Sequence, residues 1–257
     1  MNIRSRTLPP GWYPGSGDRI EEVITDFLID YPHDESTITS GIVPHAGWGF
    51  SGAIACRVIS HIDPGVDTIV VVGGHLPPGD LILATPEEGY STPLGVIDGD
   101  LVLLKDLQKE IHIKEDVYSD NTVEVQLPFI KYFFPNTHVI GMRAAPSMIA
   151  DELGKVIAHA GKKLGKKVTV IGSTDLTHYG RNYHFSPHGS GKQAVQWVKE
   201  VNDRHFIEAC IEMDTSAAIE SAGKEKSACS AGGAVCAISF AREMGIGKGN
   251  LMEYTTS

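Results

Sequence analysis

What this chain lacks narrows its function first. Its four cysteines are scattered singly, with no CxxC pair and no dense spacing, which excludes a zinc ribbon and a small secreted disulfide scaffold. A reducing compartment, the cytoplasm, is the expectation. No apolar run approaches membrane-spanning length, and residues 1–15, broken by Pro9, Pro10 and Pro14, contain no signal-peptide core. No membrane partner is expected. Positive charge is scarce as well: 22 Lys and Arg against 32 Asp and Glu leave a formal net charge of -10, which disfavours nucleic acid. The basic residues Lys162-Lys163 and Lys166-Lys167 read as the solvated end of a helix. Repeats, heptads and low-complexity tracts are missing too. What remains is 257 residues, enough to bury a full core and read as one α/β domain over 1–257.

Apolar β-branched runs alternate with helical patterns along the chain. Buried strands are expected at 37–43, 67–72, 138–142 and 167–172, a short one at 81–84 and a closing one at 251–254. Helices are expected from Asp18 as cap to 29, then over 49–62, 99–109, 122–134, 148–164, 191–212 and 232–244. Pro128 should kink the 122–134 segment or lie in its first turn. This alternation predicts a three-layer α/β/α fold with a mainly parallel central sheet.

Three of the expected strands run directly into short loops that each carry a histidine: Pro44-His45-Ala46-Gly47, Gly73-Gly74-His75, and Ser173-Thr174-Asp175-Leu176-Thr177-His178. In a parallel α/β sheet such loops share the carboxyl edge, where these folds place their sites. The three imidazoles are therefore candidates for one metal or acid-base centre. Asp175, three residues before His178, could orient an imidazole or lie near a metal, and His178 suits proton transfer near neutral pH. The alternative is that Asp175 caps a turn and His178 satisfies it. Glu124 sits among Val123, Val125 and Leu127, where an acid is costly unless paired, so a pairing role near the site and a solvated helix face both stay open. His184 and His188 share a helical spacing that Pro187 forbids, and they read as loop residues. His33, His61, His112, His138, His159 and His205 are isolated. Cys56, Cys210 and Cys236 lie in apolar helical segments and read as packing, whereas Cys229 stands in a small-residue segment before a helix, where a thiolate is favoured. Gly73-Gly74 lacks the third glycine of a dinucleotide fingerprint, so no nucleotide cofactor is expected.

With these motifs in order, the chain resembles the Memo family, known in prokaryotes as the B component of the AmmeMemoRadiSam group, which shares a fold with the class III extradiol (LigB-like) dioxygenases. The resemblance runs from Gly11-Trp12-Tyr13-Pro14 through His45, Trp48, Ser51-Gly52, His75, Thr122-Val123-Glu124 and Asp175 to His178-Tyr179-Gly180 and Cys229. It implies metal ligands at His45, His75 and Cys229, an acid-base role for His178 and a pocket role for Asp175. Asn121 stands where the family usually has histidine, and the second loop has a single histidine where relatives often have two.

The implied cofactor is Fe(II), with copper or zinc behind it, since thiolate donors favour softer metals. The implied function is a mononuclear, dioxygenase-type oxidoreductase acting on a small phenolic molecule. Two other classes stay open: a non-catalytic module that takes a peptide or partner protein in the same pocket, and a metal-assisted hydrolase. AmmeMemoRadiSam proteins are the partner expectation. Oligomeric state is not legible.

Overall fold

A computed structural model describes residues 1–29, 31 and 36–256 of the chain. His33 lies outside the described residues. In chain order the strands are β1 (Ile3–Arg4), β2 (Ser40–Val43), β3 (Thr68–Gly73), β4 (Ile82–Ala84), β5 (Gly89–Thr92), β6 (Gly95–Asp98), β7 (Lys114–Glu115), β8 (His138–Ala144) and β9 (Val168–Ser173). The helices are α1 (Gly17–Leu28), α2 (Ala53–Ser60), α3 (Leu101–Glu110), α4 (Asn121–Glu124), α5 (Leu127–Phe133), α6 (Met148–Leu164), α7 (Lys192–Trp197), α8 (Asp203–Ile211), α9 (Thr215–Glu225) and α10 (Ala231–Glu243).

The main sheet has six strands in the order β2-β9-β3-β8-β4-β7, and β2, β9, β3 and β8 run parallel while β4 pairs antiparallel with β8. The expected three-layer α/β/α architecture with a mainly parallel sheet is thus what the chain adopts. Its physical basis is the pleat. Val70, Val72, Ile140, Met142 and Val170 pack with residues of α3, α6 and α10, whereas Ile69, Val71, Val139 and Ile171 pack with those of α1, α2 and α5. Both faces of the central strands are buried, so these strands read as continuous apolar runs.

Helix α6 has the limits its sequence suggests because both ends are marked. The Ser147 hydroxyl accepts the Ile149 N–H, Gly165 closes the helix at φ 65, and Lys162 and Lys163 lie in its last turn. Elsewhere the structure corrects the sequence reading. Ser16 precedes α1, and Asp18 sits inside its first turn instead of capping it. The expected 122–134 helix is two helices, because Pro128 at the start of α5 has no N–H for the preceding turn. The 191–212 helix is interrupted by a π-helical turn at Val198–Asn202. Residues 251–254 form no strand. They run outside the sheet, tied down by Arg57 to Glu253 at 2.6 Å and by Tyr254 to Asp203 at 2.7 Å. Helix α9 and the small sheet β1-β5-β6 have no counterpart in the sequence reading.

Glu124 is paired, as its apolar setting requires, but its partners are in the amino-terminal segment. Its carboxylate accepts the Thr7 and Leu8 N–H groups, the Thr7 hydroxyl at 2.6 Å and the Tyr13 hydroxyl at 2.8 Å. That fastening carries Trp12 onto the first histidine loop, where its carbonyl accepts the Trp48 N–H at 2.7 Å. Trp48 in turn stacks on Phe129 at 3.8 Å between ring centres. The loop bearing His45 therefore rests on a rigid aromatic base.

Candidate metal centre

Adjacent parallel strands β2, β9 and β3 deliver their carboxyl ends to one edge. Each continues into a histidine loop, and α10 begins above them two residues after Cys229. At Gly74 the backbone takes φ +102 and a Cβ would lie 2.5 Å from the Arg143 Cβ, so only glycine turns His75 back over the sheet edge. The result brings the residues singled out in the sequence together. The donor atoms of His45, His75 and Cys229 all lie within 4.8 Å of one another. His45 Nε2 is 3.2 Å from the Cys229 sulfur, and the His45 and His75 rings meet edge to face at 5.1 Å.

His45 is buried and held from several directions. Its N–H donates to Asp175 Oδ1 at 2.7 Å, and Asn121 Nδ2 donates to its carbonyl at 3.1 Å. Asn121 thus orients the loop. Nδ1 of His45 is 3.4 Å from Ser173 Oγ, whose single proton goes to the Thr122 carbonyl at 2.6 Å. Towards the imidazole that hydroxyl can only accept. Nδ1 is thus turned towards Ser173, and Nε2 is the ring nitrogen that faces Cys229.

His75 is oriented by an acid that sequence reasoning missed. Its Nδ1 is 3.6 Å from Asp120 Oδ2, and Arg143 NH1 is 3.5 Å from the same oxygen. Arg143 is itself clamped by Asp116, at 2.6 and 2.5 Å. Burial would push the Asp120 carboxyl up, but hydrogen bonds from His75 and Thr122 outweigh it and hold the group well below the usual carboxylate range. Asp120, and then Cys229, push the His75 pKa up to about 10 against the opposing effect of burial. The signal for this network was a lone arginine in an apolar strand, since a buried charge must find a counter-charge.

Cys229 is the electrostatic focus. Burial pushes its thiol up, yet hydrogen bonds from His178, His45 and His75 bring it down to about 4. The other cysteines show the contrast: burial pushes Cys210 up to about 12, and Cys56 too, against the opposing charge of Arg57. His178 joins the cluster through Cys229, whose hydrogen bond raises the imidazole above its ordinary value while burial opposes. Its ring lies 4.8 Å from that of Tyr183. His184 and His188 stand apart; His188 packs on Trp197 at 4.3 Å.

A direct consequence is testable in metal-free protein. Because the folded thiol is depressed, the Cys229 contribution to stability is present above the unfolded thiol range and lost as pH falls through about 4. Ultraviolet thiolate absorbance, taken as the difference from Cys229→Ala, is expected to titrate near pH 4. A transition in the ordinary thiol range of about 8–9 would contradict this electrostatic reading.

A parallel α/β sheet with a histidine-cysteine cluster at its carboxyl edge defines a protein with a candidate metal centre. Residues 4–257 match the family model described as Memo-like protein. The chain is 31% identical over 272 residues to a MEMO1 family protein of Pyrococcus abyssi, covering 99% of this chain and 93% of that one. A MEMO1 family protein of Thermococcus kodakarensis is 31% identical over 271 residues, with 99% and 93% covered. The chain belongs to the Memo family. In three dimensions it overlaps a protein of Escherichia coli K12 with a TM-score of 0.45 and 11% identity, over 73% of this chain and 80% of that one. Among the described residues no helix is long and apolar enough to cross a membrane.

Proposed function

We propose that this chain is a mononuclear, iron-dependent oxidoreductase of dioxygenase type, acting on a small molecule whose phenolic oxygen reaches the centre. One observation carries the reading: two imidazoles and a low-pKa thiolate gather their donor atoms within 4.8 Å. The donor set fits a transition metal, since a thiolate and imidazole nitrogens, which would release their protons on binding, suit iron, copper or zinc better than a hard cation. His45, His75 and Cys229 would hold the ion. Bound there, iron would supply the redox chemistry that brings dioxygen and a phenolate together. His178 would hold and pass the phenolic proton, since it lies in the cluster and its imidazole keeps a proton above the ordinary range. Asp175 would act through His45, whose backbone it fastens.

The test begins with element analysis of protein purified anaerobically without added metal, where about one iron per chain is expected. Dioxygen uptake is then followed with a panel of catechols. His178→Ala should retain iron and lose catechol-dependent uptake. Protein that neither carries nor takes up Fe(II), or uptake unchanged in His178→Ala, would overturn the proposal.

A further inference from the structure

The cavity at the cluster is much larger than a phenol requires. It encloses about 1320 Å³, whereas about 150 Å³ suffices for a benzene ring and about 300–1,000 Å³ for most small-molecule sites. Its two ends differ in chemistry. One end is polar and is lined by His45, His75, Asn121, Asp175 and His178. The other runs along β2 and is lined by Ile54 and Val58 from the α2 side and by Ile42, Phe206, Ile207 and Ile238 from the side of α8 and α10. Leu251 and Met252 line it from the carboxy-terminal segment, which forms a roof.

That roof spans both helical layers. Glu253 is bound to Arg57 of α2, and Tyr254 donates to Asp203 of α8. Asp203 also accepts the Thr177 N–H at 3.1 Å, so one carboxylate holds both the roof and the loop bearing His178. The charges near the roof are already paired: Glu253 with Arg57 at 2.6 Å and Lys248 with Glu212 at 3.2 Å. The limb thus presents apolar side chains beside neutral polar ones such as Thr39, Ser40 and Asn250, and no free carboxylate or ammonium from these residues.

We propose that the limb beside β2 is a subsite for an apolar chain, so that the ligand of this centre is an elongated amphipathic molecule. Its oxygen-bearing head would sit at the histidine cluster and its uncharged, apolar body beneath the roof. The placement of the head rests on the metal reading above; the placement of the body does not.

The experiment uses two homologous series and calorimetry on the full chain. Hydroxamic acids from acetohydroxamic to dodecanohydroxamic acid are titrated into iron-loaded protein, and the matching n-alkyl carboxamides into metal-free protein. In both series affinity is expected to rise about fourfold per added methylene until the limb is full. Ile54→Trp and Ile42→Trp each narrow the limb from a different element. The rise should then stop at shorter chains, with acetohydroxamate affinity unchanged. Affinity independent of chain length, or a rise unaltered in both folded tryptophan variants, would overturn the subsite. If the carboxamide rise persists while iron adds nothing to hydroxamate binding, the subsite stands and the metal reading fails.

Discussion

Gly232→Ala is expected to destabilise the fold by at least about 4 kcal/mol, the range reserved for substitutions with a severe structural cause. A Cβ there would lie 2.1 Å from the Ala144 carbonyl oxygen, 2.8 Å from its carbon and 2.9 Å from the Ala145 oxygen. All three are backbone atoms at the end of β8, so no flexible side chain can give way. The next residue allows no escape, since a Cβ on Gly233 would meet the Val72 oxygen at 2.2 Å. The first turn of α10 lies directly on the carboxyl ends of the central strands, and only hydrogen side chains permit that approach. A urea titration followed by circular dichroism measures the effect. Gly223→Ala is the control: it is helical, open on all sides to 4 Å, and should gain about 0.5–1 kcal/mol. A Gly232→Ala midpoint close to that of the native chain would show that α10 can shift on the sheet. It would also undermine the placement of Cys229, which the same turn sets.

Removing the thiolate should have the largest functional effect. Cys229→Ala is expected to weaken Fe(II) binding on the order of 10²–10⁴-fold, one of three protein ligands counting for about a third of the roughly 10–16 kcal/mol that a structural zinc site contributes. The physical reason is charge as well as number. Cys229 is the anion that His45, His75 and His178 surround, and without it a cation would meet imidazoles backed only by carboxylates farther out. Anaerobic competition against a chromophoric chelator gives the affinity, and loss of thiolate-to-iron absorption identifies the ligand. Cys210→Ala, which removes an unactivated thiol from the apolar limb, should leave affinity unchanged. Equal affinity in Cys229→Ala and the native chain would exclude the sulfur as a ligand.

Much of this arrangement is visible in the sequence. The runs 67–72, 138–142 and 167–172 announce central strands because β-branched residues buried on both faces leave no polar alternation. Helix 148–164 is legible to the residue because Ser147 opens it and Gly165 closes it. The histidine loops are legible because strand, glycine and histidine follow one another directly. Cys229 stands out from the other cysteines by its small neighbours.

Other features depend on distance in space. The carboxy-terminal residues 251–254 have strand-like composition, but Arg57 and Asp203 hold them off the sheet edge. The π-helical turn before α8 brings Asn202 and Asp203 inward to hold Thr177, and no local signal distinguishes it from continuous helix. Asp120 went unnoticed in the sequence; in the structure it caps α4, and the same carboxylate orients His75.

The sequence by itself determined the layers, the central strands, the edge at which the histidines would emerge and the family to which the chain belongs. Pleat alternation, caps and glycines are local, and local rules suffice to read them. Tertiary structure alone decided that three imidazoles surround one sulfur, that Asp120 and Arg143 stand behind His75, and that an apolar limb extends from the cluster. Those features depend on charge separation, burial and packing between segments far apart in the chain, quantities that acquire values only when the sheet and its two helical layers close around them.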